Sequence, residues 1–213
     1  MQKLLISLII LSLSSLVYAQ KKNRTLEDNR HVYILHGYSA SINDHWFRAL
    51  KKKLENKNTR VTLISFPDSK HPDASKWQKT LDQNIQHIDQ NTYFIAHSLG
   101  SITLLKFLER HKVDQVGGIT LVSGFNQKIP GFSELDKFVD ESQIQPEYFR
   151  KMKNTRMFIS DNDPIVPAEY SQQFAKQLNF PYTVIHNAGH FLATDGYRDF
   201  AQLEHYLTGL LSK

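Results

Sequence analysis

The sequence has no cysteine among its 213 residues. This absence excludes a disulfide framework, a thiolate metal site, a cysteine nucleophile and a lipid-anchored cysteine. Any catalysis must therefore come from oxygen and nitrogen side chains. Without disulfides, the hydrophobic core must hold the fold together alone.

Concentrated charge of one sign is also absent. The sequence has 26 Lys and Arg against 21 Asp and Glu, which gives a formal net charge of +5. The longest basic run, Lys51 to Lys53, lies inside an amphipathic helical pattern, so nucleic acid is not expected as a partner. The length fits one globular domain with a short appendage.

The N-terminal segment differs in composition from the rest of the chain. Lys3 is followed by an apolar run with serines from Leu4 to Val17, and small or apolar residues precede Gln20. This pattern predicts a signal peptide over residues 1–19 and a flexible leader over residues 20–30. We therefore expect an exported protein, either periplasmic or secreted. An uncleaved membrane anchor is the alternative, but the apolar run is shorter than the roughly 20 residues of a spanning helix, so stable membrane insertion is not expected.

The remaining chain alternates short β-rich runs with amphipathic helical patterns. Strands are predicted at His31–Leu35, Arg60–Phe66, Thr92–Ala96, Gly118–Val122, Arg156–Ser160 and Tyr182–His186. Most of these runs are continuously apolar or β-branched, as in strands that are covered on both faces of a parallel sheet. The pattern predicts a single doubly wound α/β domain over residues 31–213, with about six mostly parallel strands and helices on both faces.

One connection is longer than the others. Residues 124–155, between the fourth and fifth strands, carry five aromatic side chains: Phe125, Phe132, Phe138, Tyr148 and Phe149. A long crossover rich in aromatics is typical of a lid or a wall of a substrate pocket. The alternative is that these side chains pack onto the sheet.

The end of the third predicted strand carries a nucleophile motif. Ala96-His97-Ser98-Leu99-Gly100 matches the small-x-Ser-x-Gly elbow, with Ala96 at the position where Gly is commonest. The small residues are needed because the strand and helix backbones crowd together at the sharp turn. Ser98 is then predicted at the carboxyl end of the sheet and at the positive end of a helix dipole.

A nucleophilic serine needs a base, and the base needs a group that orients it. Asp163 follows the fifth predicted strand and His190 follows the sixth, in the chain order Ser, acid, His of α/β hydrolases. The carboxyl ends of parallel strands gather at one edge, so Ser98, Asp163 and His190 are predicted to meet there as a catalytic triad. Asp161 is the rival acid, and Asp195 is a remoter rival because it follows the histidine.

The same edge supplies a candidate oxyanion hole. Its two backbone N–H groups are assigned to Leu99, directly after the nucleophile, and to Tyr38, in the loop after the first strand. Gly37, His97 and Trp46 are assigned to the substrate pocket. His36 is interpreted as a buried histidine whose ring is satisfied by loop backbone groups. This chemistry requires no metal and no cofactor.

Together these motifs resemble the small serine hydrolases of the YdeN and retinoblastoma-binding-protein-9 family. The resemblance rests on the following segments: His36-Gly37-Tyr38, Asn43-Asp44-His45-Trp46, Phe66-Pro67-Asp68, Trp77, Ala96 to Gly100, Asn162 to Pro167 and Gly189-His190. It implies a compact α/β-hydrolase fold and a triad of Ser98, Asp163 and His190.

The first hypothesis for function is an exported serine hydrolase that cleaves carboxylic esters of small or medium acyl chains through an acyl-enzyme. An amidase or peptidase with the same triad is the second hypothesis, because specificity lies in pocket shape. A binding protein that keeps the fold without turnover is the third. In each case the expected partner is a small-molecule ester or amide, and the sequence leaves the oligomeric state open.

Overall fold

A computed structural model describes residues 30–212 as one six-stranded sheet flanked by helices. The predicted signal peptide and all but the last residue of the predicted leader lie outside these residues. The strands are β1 (Arg30–Leu35), β2 (Thr59–Ile64), β3 (Thr92–His97), β4 (Gly118–Val122), β5 (Thr155–Ser160) and β6 (Tyr182–Ile185). All neighbouring strands pair in parallel, in the order β2-β1-β3-β4-β5-β6, which confirms the predicted α/β class.

Helices cover both faces of the sheet. They are α1 (Phe47–Leu54), α2 (Ala74–Asn84), α3 (Leu99–Arg110), α4 (Asp136–Glu141), α5 (Ala168–Leu178) and α6 (Ala201–Leu211). Successive strand residues point to opposite faces, and β1 shows this directly. Val32 and Ile34 belong to the core under α1 and α6, while Tyr33 and Leu35 belong to the larger core under α2, α3 and α5. Within residues 30–212, no helix combines the length and apolar character needed to cross a membrane.

The strand order fixes where a site can form. The chain passes from β1 to β2 on one side and then crosses to β3 on the other side of β1. The order therefore reverses between β1 and β3, and open α/β sheets bind ligands outside the carboxyl ends of the strands at such a point. The loop that begins at His36 and the turn at Ser98 both leave the sheet there.

The long crossover forms a compact segment beside the sheet. It contains a 3-10 turn at Ser133–Leu135, the short helix α4 and a second 3-10 turn at Pro146–Phe149. Phe138 and Phe149 are buried in the larger core, and the Tyr148 hydroxyl donates to the Val113 carbonyl oxygen at 2.8 Å.

His31 in β1 couples the fold to pH. Its Nε2 lies 2.8 Å from Thr62 Oγ1, and its ring stacks on Tyr33 with the centroids 4.0 Å apart. Burial, followed by the charges of Arg60 and Lys51, lowers the pKa of His31 from its ordinary value of 6.5 to about 4. Between these two values the unfolded chain binds a proton at His31 and the folded chain does not.

The free energy of unfolding is therefore expected to fall as the pH is lowered from 6.5 towards 4. His31→Gln keeps a polar partner for Thr62 but does not titrate, so its stability is expected to fall less steeply over this range. Urea unfolding at several pH values measures both slopes. At pH 8 the imidazole is neutral in both the folded and the unfolded state. The difference in the free energy of unfolding between the wild type and His31→Gln at this pH therefore reports lost contacts alone and serves as the control. If the free energy of unfolding depended on pH in the same way in the wild type and in His31→Gln, the lowered pKa of His31 would not be the cause of the pH dependence.

Candidate active site

Ser98 occupies a sharp turn between β3 and α3. Its φ of 55° and ψ of −127° are unusual for a residue other than glycine, and such strain is characteristic of functional turns. A Cβ at Gly100 would lie only 2.5 Å from the His36 carbonyl oxygen. The backbones are thus crowded where the elbow motif requires a small residue. The Ser98 N–H donates to the Val122 carbonyl oxygen at 2.8 Å, which ties the turn to β4.

Gly37 allows the loop after β1 to approach this turn. A Cβ on Gly37 would lie 2.8 Å from Ser98 Cβ and 3.3 Å from the Leu99 nitrogen. Within residues 30–212, the backbone N–H groups of Tyr38 and Leu99 donate to no other group. Both remain available to bind an oxygen of a ligand beside Ser98, and Leu99 is the first residue of α3, where the helix dipole also favours negative charge.

The His36 ring holds the loop in this position. The Phe66 N–H donates to His36 Nε2 at 3.0 Å, so the ring proton is on Nδ1, which donates to the Gly37 carbonyl oxygen at 2.9 Å. Because a trans peptide is planar, fixing this carbonyl directs the Tyr38 N–H to the opposite side. Burial lowers the pKa of His36. This is the satisfied, buried histidine that the sequence predicted.

A short hydrogen bond joins His190 to Asp163. His190 Nδ1 lies 2.7 Å from Asp163 Oδ2, and the two side chains are only 4% and 2% exposed. The Ser123 hydroxyl donates to the same oxygen at 2.8 Å. The other carboxylate oxygen accepts the N–H groups of Ile165 and Val166, each at 2.9 Å. The carboxylate is thus fixed on both sides, and Nε2 of His190 is left for the cavity.

Ser98 and His190 line the same cavity. In this conformation no hydrogen bond joins their side chains within the described part of the chain. Catalytic hydrogen bonds are often long in the free state and shorten when substrate binds. The structure therefore brings Ser98, His190 and Asp163 to one edge of the sheet, with the acid and the base already paired.

The two rival acids contact other groups. Asp161 lies at the surface, where its carboxylate pairs with His186 Nδ1 at 2.5 Å and accepts the Asn187 N–H at 2.8 Å. Asp195 Oδ2 accepts the backbone N–H groups of His190 and Leu192 at 2.9 and 3.0 Å. Asp195 therefore supports the backbone of the histidine loop, and only Asp163 contacts the imidazole.

Several further side chains hold the histidine loop, which has positive φ angles at Asn187, Gly189 and Phe191. Asn162 Oδ1 accepts the Gly189 N–H at 2.9 Å. A Cβ at Gly189 would lie 2.4 Å from Asp195 Cγ, so the loop needs glycine there. No motif in the sequence predicts a role for Asn162 or for Ser123. The signal that could have found them is their position directly after the carboxyl ends of β5 and β4.

His97 supports the same loop from beneath. Its Nε2 lies 2.9 Å from the His190 carbonyl oxygen, and its ring centroid lies 4.8 Å from that of His190. The side chain is buried, and its Nδ1 has no hydrogen-bond partner among the described residues. Burial holds the pKa of His97 well below its ordinary value, so the ring is neutral and donates Nε2–H to the carbonyl.

The cavity at this edge has a volume of about 250 Å³. One part of its wall is apolar and comes from the crossover: Phe125, Ile129, Phe132 and Leu135. Three larger surface grooves, of about 720, 710 and 440 Å³, lie away from Ser98 and are more open to solvent. The smaller cavity is the better candidate site because it is enclosed and combines an apolar wall with a few polar groups.

The crossover also contacts the loop after β1. The Tyr38 hydroxyl donates to Glu134 Oε1 at 3.2 Å, and the Tyr38 ring packs edge-on against Phe132 with the centroids 6.2 Å apart. Tyr38 thus contributes its backbone N–H near Ser98 and its side chain to the rim of the cavity.

The pocket residues predicted from sequence are only partly placed at the cavity. His97 lines it, whereas Gly37 lies against the Ser98 turn and Trp46 is fully buried. The prediction for Trp46 is wrong because its ring packs against Phe47 and Phe200 in the core under α1 and α6. Its neighbour His45 lines the cavity instead, in a left-handed backbone conformation with φ of 52°.

Known proteins share this sequence pattern. A family model described as serine hydrolase matches residues 32–209. The chain is 35% identical over 185 residues to the hydrolase YdeN of Bacillus subtilis, covering 86% of this chain and 97% of YdeN. It is 26% identical over 161 residues to the serine hydrolase RBBP9 of Rattus norvegicus, covering 70% of this chain and 80% of RBBP9.

Solved structures share the fold. The crystal structure of B. subtilis YdeN matches with a TM-score of 0.82 at 33% identity, covering 87% of this chain and 100% of that chain. An esterase from Exiguobacterium antarcticum matches with a TM-score of 0.62 at 15% identity, covering 87% of this chain and 93% of that chain, and at this identity it shows the fold alone. The resemblance inferred from the motifs is confirmed. The chain belongs to the serine hydrolase family that includes YdeN and RBBP9, and it has the α/β-hydrolase fold.

Proposed function

We propose that this protein is an exported esterase that cleaves carboxylic esters of small or medium acyl chains through an acyl-enzyme on Ser98. The observation that carries the proposal is the buried 2.7 Å hydrogen bond between His190 Nδ1 and Asp163, on the same cavity as the strained Ser98 turn. Esterases occur among the solved structures that share the fold, so ester hydrolysis is the activity to test first and amide hydrolysis is the alternative.

The proposed mechanism uses only groups of the chain and water. Ser98 Oγ attacks the ester carbonyl while His190 Nε2 takes its proton, and the N–H groups of Leu99 and Tyr38 stabilise the oxyanion. His190 returns the proton to the departing alcohol. Water then attacks the acyl-enzyme, His190 takes the proton of the water, and the acid leaves as Ser98 is protonated again. Asp163 orients the imidazole and stabilises its charged form.

Substitutions in the triad test the proposal. Ser98→Ala removes the nucleophile and is expected to lower kcat by about 10⁴-fold or more. Asp163→Asn destroys the preference for the Nδ1–H tautomer of His190 and is expected to lower kcat by about 10³- to 10⁴-fold. The measurement is the initial rate of p-nitrophenyl butyrate hydrolysis, with circular dichroism to verify that each variant is folded.

Two matched controls distinguish the triad from its neighbours. Ser101→Ala removes a buried hydroxyl one helical turn further along, outside the cavity, and is expected to retain turnover. Asp161→Asn removes the exposed rival acid and is expected to change kcat by less than about threefold, as for an exposed ion pair. Turnover that survives in Ser98→Ala, or a greater loss in Asp161→Asn than in Asp163→Asn, would overturn the assignment.

The size of the cavity limits the acyl chain. At about 30 Å³ per non-hydrogen atom, the share of one water in the liquid, a cavity of about 250 Å³ holds about eight such atoms, which include the acyl group and the first atoms of the alcohol. Among p-nitrophenyl esters, kcat/KM is therefore expected to peak near butyrate and to fall by about tenfold or more at laurate, since misfit in an apolar pocket costs on the order of 1–3 kcal/mol.

Leu135→Ala tests whether the apolar wall from the crossover limits the length of the acyl chain. The substitution removes three carbon atoms from the apolar wall and is expected to move the optimum towards longer acyl chains. Val139→Ala, which shortens a buried side chain on α4 outside the cavity, is the control for loss of stability and is expected to leave the optimum unchanged. A flat chain-length profile in the wild type would contradict the size limit.

Export is supported by the composition of residues 1–19. The chain expressed in a bacterial host is expected to accumulate outside the cytoplasm with Gln20 as its first residue. N-terminal sequencing of the purified protein measures this directly. A functional protein that remains in the cytoplasm with Met1 or Gln2 at its N-terminus would show that the segment is not a signal.

A further inference from the structure

His45 supplies a polar group to the cavity that the proposed mechanism does not use. The residue is half-buried and lines the cavity together with Ser98 and His190. Its ring centroid lies 5.9 Å from that of His97. His45 has a positive φ of 52°, a conformation that is uncommon outside glycine but that histidine adopts more readily than most residues.

The hydrogen bonds of His45 define its tautomer. The backbone N–H of Ala193 donates to His45 Nδ1 at 3.0 Å, so this nitrogen carries no proton. Burial lowers the pKa of His45, so near neutral pH the ring is uncharged and its single proton is on Nε2. Within residues 30–212, Nε2 has no hydrogen-bond partner. His45 therefore presents a free N–H donor at a cavity whose wall from the crossover is apolar.

The contact with Ala193 shows which part of the cavity His45 borders. Ala193 lies three residues after His190, in the loop that carries the imidazole. His190 returns its proton to the departing alcohol, so the leaving group must lie on the His190 side of the cavity. The apolar wall from the crossover, Phe125 to Leu135, is on a different element and suits the acyl chain. His45 therefore borders the leaving-group side of the cavity, and its Nε2–H lies on the far side of the ring from Ala193.

We propose that His45 is a specificity-determining residue whose Nε2–H binds an oxygen of the leaving alcohol, so that the preferred substrates are short-chain esters of a polyol or another oxygen-bearing alcohol. The inference rests on the proposed esterase function. An unpaired donor beside an apolar wall is costly when the substrate offers no acceptor. A site of this kind discriminates against an analogue that lacks the matching oxygen.

A matched pair of substrates tests this proposal. Glycerol 1-butyrate and propyl butyrate share the acyl group and the three-carbon leaving group, and they differ only in the two hydroxyl groups. The wild type is expected to have the higher kcat/KM for the glycerol ester. The ratio of the two kcat/KM values is the measured quantity, because a general loss of activity cancels in it.

Two substitutions distinguish the role of His45 Nε2 from that of Nδ1. In His45→Asn the side-chain oxygen takes the place of Nδ1 and still accepts from Ala193, but no donor remains at the position of Nε2. The ratio is expected to fall by about three- to tenfold, the value of one neutral hydrogen bond. In His45→Gln the amide keeps a donor near the position of Nε2 and loses the acceptor for Ala193, so both rates are expected to fall while the ratio stays close to that of the wild type.

The exposed neighbour Asn43 provides the control, and Asn43→Ala is expected to keep the wild-type ratio. A wild-type ratio near one, or an unchanged ratio in His45→Asn, would overturn the role of His45 while Ser98-dependent hydrolysis of propyl butyrate upheld the esterase. Equal changes of the ratio in His45→Asn and His45→Gln would reduce His45 to a support for the histidine loop. If neither ester is hydrolysed in a Ser98-dependent manner, both the proposed function and this inference fail.

Discussion

The site depends on the close contact between the loop after β1 and the turn at Ser98. Two missing Cβ atoms permit this contact: one at Gly37 would lie 2.8 Å from Ser98 Cβ, and one at Gly100 would lie 2.5 Å from the His36 carbonyl oxygen. Because the strand order reverses between β1 and β3, the two segments leave the sheet side by side. Their contact brings the N–H groups of Tyr38 and Leu99 to the same place as the serine hydroxyl. Any side chain at Gly37 or Gly100 would push the loop after β1, with the Tyr38 N–H, away from the nucleophile.

The histidine loop, which carries His190, has a strained backbone and must nevertheless hold the imidazole in a fixed position. Residues in the left-handed conformation raise the free energy of the folded loop. This cost must be offset by contacts that the loop would lose if its backbone relaxed to a more common conformation. In this loop the stabilising contacts come from several elements of the fold. Asn162 after β5, His97 in β3, Asp195 within the loop and His45 before α1 each contact a backbone group of the loop. The position of His190 is thus determined by the whole edge of the sheet.

The elements that could be predicted from sequence are those with a local cause. β4 has the predicted bounds, and the Ser98 turn follows from the spacing of small residues. β2 ends at Ile64, two residues earlier than predicted, because the Phe66 N–H donates to the His36 ring and leaves the strand ladder. Trp46 and His45 could not be told apart, because the left-handed backbone that turns the histidine towards the cavity has no glycine to signal it. The hydroxyl of Ser123 reaches Asp163 across 40 residues of sequence, and no local pattern encodes such a contact.

The two sides of the cavity are built by different means, and this difference constrains how the site can change. The apolar wall comes from the crossover, and its side chains Phe125, Ile129 and Leu135 also belong to the larger core, so their exchange changes both the cavity and the stability of the fold. The polar side comes from His45, which also holds the histidine loop through Ala193. A substitution at His45 therefore alters substrate recognition and the support of the imidazole together. Acyl preference is thus coupled to core packing in this architecture, whereas recognition of the leaving group is coupled to the position of the catalytic base.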